Sequence, residues 1–372
     1  MRWAFWASAA LIAYTYVGYP AWLWVRARLR PWPAMRGPFE PSVSIVMVVR
    51  NEEQALEQKL RNLFDICSRP WQVIVVSDGS TDRTEMILRE HARDSRLHVV
   101  TNRLPRGKAS CLNDGIALAQ GEVVIFTDAR QKIEPGAIRM LNENFADADV
   151  GCVSGELMLG DLDSGETGLG MGLYWRIEKK VRELEGASGS VVGATGAFYA
   201  VRRELLTVVP DGTILDDVYL PMQVVRQGKR VLFDGRVRAW DSPTLGAERE
   251  FSRKVRTLSG NYQLLQLAPW LLSSSNPIRF EFVSHKLLRL TVPFALAALL
   301  LTSLSLRGSL YRVALILQLA FYALGVLALF RLLKSGYVAR IADAAGTFVL
   351  LNGAAVVAFA NFVTGRQAAW TR

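Results

Sequence analysis

Hydrophobic positions form four long apolar segments around a central block with shorter periods. The first segment, residues 3–25, holds no charged residue and carries Trp and Tyr toward both ends, as helices that cross a bilayer do. Three further apolar segments, residues 290–306, 313–330 and 341–363, lie near the C-terminus. The pattern therefore predicts about four transmembrane helices.

Basic residues indicate which side of the membrane each loop faces. Arg26 and Arg28 follow the first apolar segment, and Arg331, Lys334 and Arg340 precede the last one. Because Lys and Arg are retained on the cytoplasmic side, both loops should face the cytoplasm. We therefore expect an integral protein of the inner membrane, with both termini outside and the central block in the cytoplasm.

The same patterns divide the chain into four parts. Residues 1–30 form an N-terminal transmembrane helix with a basic flank, and residues 41–245 form a cytoplasmic domain. Residues 246–286 are basic and amphipathic, which predicts helices lying in the membrane surface. Residues 287–372 hold about three C-terminal transmembrane helices.

Composition limits the classes of function. The 372 residues are 51% hydrophobic and 21% charged, which excludes a disordered or fibrous chain. The formal net charge of +10 favours anionic lipid or phosphorylated ligands without choosing between them. Three cysteines are too few, and odd in number, for a disulfide framework.

The central block alternates short β-branched runs with helical periods. The runs, which predict buried strands, are residues 43–49, 72–76, 97–101 and 122–127. Continuous apolar strands separated by helices predict a parallel sheet that is covered on both faces. Ligands of such sheets bind at the carboxyl ends of the strands, so the residues just after each strand are the first candidates for a site.

Polar and acidic side chains stand at three of these strand ends. Asn51 and Glu53 follow the first strand, Asp78 follows the second and Asp128 follows the fourth. Each alone is more simply a turn or cap residue, since Asp-Gly is a common turn. Their coincidence at several ends of one sheet favours a binding site. No G-x-G-x-x-G motif follows the first strand, which argues against a dinucleotide-binding enzyme.

Two further features lie later in the block. A small-residue loop around Gly196 precedes a strand-like run, and the acidic pair Asp216 and Asp217 precedes a helical period. Adjacent carboxylates before a helix can cap it. Alternatively, one of them can act as a general base beside a substrate hydroxyl. Residue chemistry alone gives the capping role the edge.

In their order, these motifs resemble the membrane-integrated inverting glycosyltransferases of family 2, which include cellulose, hyaluronan and poly-N-acetylglucosamine synthases. The resemblance extends from residue 42 to about 260. The segments that carry it are V-S-I-V-M-V-V-R-N-E-E, V-I-V-V-S-D-G-S-T-D, R-G-K-A with L-N-D-G, F-T-D-A-R, L-D-D and R-K-V-R-T. It implies an α/β GT-A domain with a Rossmann-like, mostly parallel sheet.

The resemblance also implies roles for single residues. Asp217 would be the catalytic base, Asp128 would orient the ribose or bind a metal ion, Mg²⁺ or Mn²⁺, and Asp78 would meet the uracil. The full set of positions expected to bind substrate is Asn51, Glu53, Asp78, Lys108, Asp128, Arg130, Gly196, Asp216, Arg253 and Arg256.

Three positions depart from the family pattern. Arg130 replaces the second Asp of the D-x-D motif, so either another group completes the metal site or Arg130 partly replaces the charge of the ion. Leu215 begins the motif that reads T-E-D in the family, and this change keeps the expected base. Thr257 stands where processive synthases have Trp, which puts processivity in question.

We therefore predict an inverting glycosyltransferase for cell-surface polysaccharide synthesis, which moves a sugar from a nucleotide-sugar, expected to be a UDP-sugar, to a polysaccharide or lipid-linked acceptor at the inner membrane face. One alternative is a single transfer onto polyprenyl phosphate or a lipid-linked intermediate. Another is an inactive nucleotide-binding membrane scaffold. The expected partners are the donor, the glycan or lipid-linked acceptor, membrane lipids and an export partner, and no nucleic acid.

Overall fold

The computed structural model of the chain describes residues 1–66, 71–162, 166–167, 173–242, 247–330, 332 and 337–366. The predicted boundary at residues 245–246 between the cytoplasmic domain and the interfacial segment lies outside these residues. The predicted basic loop at Arg331 and Lys334 also lies outside them.

Nine strands form one mixed sheet within the described residues. They are β1 Val43–Val49, β2 Gln72–Asp78, β3 Leu97–Asn102, β4 Val123–Thr127, β5 Lys132–Ile133, β6 Val150–Asp161, β7 Glu166–Thr167, β8 Phe198–Arg202 and β9 Arg230–Asp241. Their order is β3-β2-β1-β4-β8-β6-β9-β5, and β7 pairs with β6. The first four strands in this order are parallel, as are β6 and β9, whereas β8 and β5 run antiparallel to their neighbours. The predicted mostly parallel sheet is confirmed.

The helices surround this sheet and continue into the apolar segments. They are α1 Arg2–Ala13, α2 Tyr19–Leu29, α3 Leu56–Ile66, α4 Thr84–His91, α5 Lys108–Leu118, α6 Ala137–Glu143, α7 Leu173–Ser188, α8 Asp216–Arg226, α9 Ala247–Leu267, α10 Arg279–Phe282, α11 Leu288–Ser305, α12 Ser309–Leu329 and α13 Tyr337–Val363. Short π-helical turns, Tyr14–Gly18 and Val283–Leu287, join α1 to α2 and α10 to α11. Single 3₁₀ turns occupy Asn144–Ala146, Arg203–Leu205 and Pro269–Leu272.

The central strand β1 is buried along its whole length. Because side chains alternate across a strand, Val46 and Val48 enter the core on one face while Ile45 and Met47 enter the core on the other. Helix α5 lies close to the first face, where a Cβ on Gly115 would come within 2.6 Å of a Val46 methyl carbon. Asp78 is the last residue of β2, and Asn51 and Asp128 follow β1 and β4, so these polar side chains lie at the carboxyl ends of neighbouring strands.

Three described helices are long and apolar enough to cross a membrane: Arg279–Ser305, Ser309–Leu329 and Ile341–Val363. They match the three predicted C-terminal segments. The first begins at Arg279, earlier than predicted, because the π-helical turn makes α10 and α11 one continuous helix.

The N-terminal helices α1 and α2 have different neighbours: α1 packs beside α11, and α2 packs against α7. The Tyr14 hydroxyl lies 2.9 Å from the Ser284 hydroxyl, and the ring of Phe5 contacts that of Tyr311 edge to face. This pair completes a bundle with the three candidate spans. That it also crosses the bilayer, as the fourth helix, stays a prediction.

Helix α9 connects the bundle to the sheet domain. On one side, the Tyr262 ring contacts the rings of Phe359 and Phe362 of α13. On the other, Gln263 accepts the backbone N–H of Ile214 and donates to the Gly212 carbonyl. The amphipathic pattern of residues 246–286 thus marks a helix that lies between two packed bodies, and its position in the membrane surface stays a prediction.

We predict that Gly121→Ala destabilises the chain, because the new Cβ would lie 2.5 Å from the Ser44 backbone nitrogen, and backbone cannot move aside as a side chain can. The expected cost is about 1–3 kcal/mol in the free energy of unfolding. Gly37→Ala is the control, since its Cβ would meet only the Ala146 methyl group, at 3.6 Å. Thermal unfolding of both purified variants in detergent measures the difference, and equal midpoints would contradict the prediction.

Candidate active site

Asp78 ends β2 and is fully buried. Its carboxylate accepts the backbone N–H groups of Arg106, at 2.5 Å, and Gly107, at 3.1 Å, and a contact from the Cys111 thiol at 3.3 Å. Gly107, at φ +92°, adopts a conformation that L side chains rarely allow and directly precedes α5. Asp78 therefore fixes the turn from which α5 starts. Its contact with a uracil base stays a prediction.

The turn after β1 is held to the turn after β2. Asn51, at φ +52°, accepts the Thr81 backbone N–H through its side-chain oxygen at 2.9 Å. Glu53 accepts the Arg83 backbone N–H at 3.0 Å and is exposed. These two predicted substrate-binding residues thus have a structural task in this state, and their contact with substrate stays a prediction.

Lys108 brings together carboxylates from two other elements. Its ammonium lies 3.2 Å from an oxygen of Asp216, which starts α8, and 3.5 Å from an oxygen of Asp128, which follows β4. Burial alone would lower the pKa of Lys108, but Asp128, Asp216 and Asp217 together hold it above its ordinary value. Lys108 is therefore a permanent cation in an acidic cleft.

Asp217 is half-buried beside this cluster. Burial, with a smaller contribution from the Asp216 charge, raises the pKa of Asp217 to about 6, against the opposing charges of Lys108, Lys286 and Arg182. A carboxylate with such a pKa is ionised at neutral pH and binds a proton more readily than an ordinary aspartate. This is the property that a general base requires.

The predicted small-residue loop lies directly against Asp217. The Ala194 backbone N–H donates to the Asp217 carbonyl at 2.7 Å, and Gly193 has φ +86°. A Cβ on Gly196 would lie 2.9 Å from the Asp217 Oδ2 atom. The absence of a side chain at Gly196 therefore leaves room for the carboxylate of the predicted base.

Helix α9 packs against the start of α8. The helix touches Leu215 so closely that a Cβ on Gly260 would lie 2.5 Å from the Leu215 Cγ atom. Arg256, four residues earlier, lies on the same face of α9. It is half-exposed and has no ion pair among the described side chains, whereas Arg253 pairs with Glu250 at 2.5 Å. Of the two predicted arginines, Arg256 is the better placed to meet an anionic ligand.

Asp128 is the one carboxylate of the D-x-D position, and its side chain is 38% exposed. Arg130 is exposed, and no described residue pairs with it. No group of three His, Cys, Asp or Glu that could hold a metal ion occurs in the described part of the chain. A Mg²⁺-type ion commonly uses one or two carboxylates plus substrate phosphates. The residues therefore fit an ion that is shared with a bound diphosphate.

The turn that carries Asp128 is stabilised by Lys59, a residue that the sequence analysis did not single out. Lys59 is buried and donates to the Thr127 hydroxyl at 2.8 Å and to the Gln131 carbonyl at 2.7 Å. Burial lowers the pKa of Lys59 to about 7, although Asp128 acts in the opposite direction. A single lysine within a helical segment gives no sequence signal that it supports a neighbouring turn.

A second group that the sequence did not reveal lies on α7. The charged, amphipathic pattern of residues 174–185 is by itself typical of a solvated helix face. Instead, Glu178, Glu185 and His285 are buried together. The spacing of the two glutamates places them on one face of α7, but only the fold shows what this face meets.

We predict that Gly196→Ala lowers kcat strongly while nucleotide binding changes little, because the new methyl group would displace the Asp217 carboxylate. A decrease of about 10²-fold or more is expected from loss of general-base geometry. Steady-state kinetics measures the loss, and calorimetric binding of the nucleoside diphosphate in the same preparation is the internal control. Unchanged kcat would show that the position of the carboxylate does not limit the reaction.

The chain is similar in sequence to known glycosyltransferases. Residues 44–209 match the family model described as "Glycosyl transferase family 2". The chain is 36% identical over 107 residues to an undecaprenyl-phosphate 4-deoxy-4-formamido-L-arabinose transferase of Pectobacterium carotovorum, covering 27% of this chain and 33% of that protein. It is also 22% identical over 229 residues to a poly-β-1,6-N-acetyl-D-glucosamine synthase of Staphylococcus aureus. This match covers 60% of this chain and 55% of that protein.

A solved structure extends the likeness to almost the whole chain. The mannosyltransferase PcManGT from Pyrobaculum calidifontis, in complex with GDP-Man and Mn²⁺, superposes with a TM-score of 0.73 at 22% identity, over 97% of this chain and 99% of that one. This similarity establishes the GT-A fold. The chain spans between a third and about half of the length of the two curated relatives it matches.

Proposed function

We propose that this chain, whose residues 44–209 form a glycosyltransferase family 2 domain, is an inverting glycosyltransferase. It moves a sugar from a nucleotide-sugar, with a UDP-sugar as our first choice, to a polysaccharide or lipid-linked acceptor. The reaction takes place at the inner face of the membrane.

One observation carries the proposal. The Lys108 ammonium lies within 3.5 Å of carboxylate oxygens of both Asp128 and Asp216, although the three residues belong to separate parts of the fold. Asp217, whose pKa is raised, is next to Asp216. A structural ion pair would not need a third carboxylate beside it. An acidic cleft with one fixed cation and one proton acceptor suits a reaction that separates charge.

The proposed mechanism assigns each group a task. As the acceptor hydroxyl attacks the anomeric carbon, its proton passes to the Asp217 carboxylate. The bond from that carbon to the diphosphate oxygen breaks, and negative charge grows on the leaving nucleoside diphosphate. The Lys108 ammonium and the Arg256 guanidinium stabilise this charge, with Arg130 as a third cation near Asp128.

A divalent metal ion, Mg²⁺ or Mn²⁺, would be held by Asp128 together with the diphosphate. When bound, it would supply further positive charge to the leaving group. The Mn²⁺ of the Pyrobaculum mannosyltransferase complex is consistent with such an ion. Arg130, in place of the second carboxylate of the motif, leaves the ion with fewer protein ligands.

The surroundings of Asp217 support an acceptor at the membrane. Lys286, which belongs to the first candidate span, acts electrostatically on the Asp217 carboxylate. A glycan attached to a lipid, or a polymer that leaves through the membrane, would reach the base from this side. Product length distinguishes a single transfer from a processive one.

We predict that Asp217→Asn abolishes transfer, with a decrease in kcat of about 10²–10⁴-fold, because asparagine cannot accept the proton. The measurement is nucleoside diphosphate release by the purified chain over a panel of UDP- and GDP-sugars with membrane lipid extract, with and without EDTA.

Release from one donor, lost in Asp217→Asn, would support the proposal and identify the donor. Activity in EDTA would show that the cationic side chains suffice without a metal. Full activity of Asp217→Asn would refute the role of this residue. Diphosphate binding without release from any donor would favour the nucleotide-binding scaffold.

We predict that kcat/KM falls as the pH drops through about 6, because protonated Asp217 cannot act as a base. Lys108→Met should shift this acidic limb, the fall of kcat/KM on the acidic side of the pH profile, to higher pH, because the Lys108 charge lowers the pKa of Asp217. Lys180→Gln, an exposed change on α7, is the control and should leave the limb in place. A limb that stays at the same pH in Lys108→Met would contradict the assignment.

A further inference from the structure

A buried cluster of charged side chains joins α7 to the membrane helices. Both ring nitrogens of His285 face carboxylates, Glu185 at 2.8 Å and Glu178 at 3.0 Å. Arg289 donates to Glu178 at 2.6 Å, and the Tyr19 hydroxyl donates to Glu185 at 2.6 Å. His285 and Glu185 are almost inaccessible to solvent. The cluster therefore fixes α7 to the helices on both sides of it.

The charges of this cluster stabilise one another. Each ring nitrogen of His285 lies within hydrogen-bond distance of a carboxylate, which is a strong hydrogen-bond acceptor. Burial would raise the pKa of Glu178, but the charges of Arg289 and His285 hold it well below its ordinary value. Removing one partner of such a buried set leaves an uncompensated charge, which costs far more than a surface ion pair.

Arg182 extends this cluster toward the active site. On α7, Glu178, Arg182 and Glu185 are spaced by four and three residues, so they share one face. The Arg182 Nε atom donates to Glu178 at 3.3 Å, and its Nη1 atom donates to the Thr195 hydroxyl at 2.7 Å. A planar guanidinium that donates in two directions fixes the second partner relative to the first. The Thr195 backbone N–H in turn donates to the Ser154 hydroxyl at 2.8 Å.

Thr195 lies in the centre of the loop that packs on Asp217. Its neighbour Ala194 donates to the Asp217 carbonyl at 2.7 Å, and Gly196 faces the Asp217 carboxylate. Movement of Thr195 would therefore change the space around the carboxylate. The connected contacts run from His285 through Glu178, Arg182 and Thr195 to the loop at the base.

We propose that Arg182 is a positioning residue, which ties the loop around Asp217 to the ion cluster between α7 and the membrane helices. This assignment rests on the proposed transferase function in so far as Asp217 is the base. If so, the packing of the sheet domain against the helix bundle determines the geometry around Asp217, on the acceptor side of the cleft. Donor binding at Lys108 and Asp128 does not depend on it.

The test compares two variants that break the same contact from its two sides. Arg182→Gln removes the guanidinium, and Thr195→Val removes the hydroxyl at nearly constant shape. We expect each to lower kcat about 10-fold or more with donor KM within about twofold of wild type, and the double variant to be no worse than the worse single variant, because the residues act as one unit. Thr195→Ser keeps the hydroxyl and should recover most of the activity lost in Thr195→Val.

Amide hydrogen exchange of the full chain in detergent gives a readout that needs no turnover. We expect faster exchange in residues 193–198 in both Arg182→Gln and Thr195→Val. Lys180→Gln is the matched control: it removes an exposed cation of the same helix, which pairs with Glu183, and it should change neither exchange nor kcat.

Unchanged exchange and unchanged kcat in both variants would overturn the proposal, as would a rise in donor KM at constant kcat. If the wild-type chain released no nucleotide from any donor, the proposed function would fail while the exchange result still decided whether Arg182 holds the loop. Faster exchange in the two variants alone would then support the anchoring of the loop, and equal exchange would refute it.

Discussion

The position of the Lys108 ammonium is the constraint on which the cleft depends. Two like charges about 4 Å apart repel by roughly 4 kcal/mol at the effective dielectric of a protein surface, so a cleft with three carboxylates needs a cation among them. Lys108 can supply it because α5 begins at that residue, and α5 begins there because Asp78 holds the backbone of Arg106 and Gly107. One buried carboxylate at the end of β2 thus determines the charge balance at the end of β4 and at the start of α8.

The parallel part of the fold could be predicted from the sequence because its strands are continuous apolar runs. The run at residues 43–49 coincides with β1, and the run that begins at residue 72 ends two residues later than predicted, so that Asp78 is the last residue of β2. The pairing of β8 with β4 and β6 could not be predicted in this way, because register depends on which strands meet and not on the period within each strand.

The candidate site was predictable in its residues and not in their contacts. Strand ends and motif order indicated Asp128, Lys108 and Asp217, but residue chemistry alone favoured a capping role for the acidic pair. In the structure both carboxylates lie in the first turn of α8, and the Asp216 carboxylate also pairs with Lys108, a contact that the sequence did not reveal. Glu178 and His285 are more than a hundred residues apart, and the period of α7 shows that one face is polar without showing that this face is buried.

The ion cluster on α7 also bears on where this chain can be divided. Residues 41–245, the predicted cytoplasmic domain, hold the described sheet, but one of its two core clusters continues into residues 264–282. Cut out as a fragment, however, they would lose Tyr19, His285 and Arg289, and Glu178 and Glu185 would keep few of the donors that balance them. The smallest unit that can be transplanted into another protein with its active site intact therefore includes the helices against which α7 is seated.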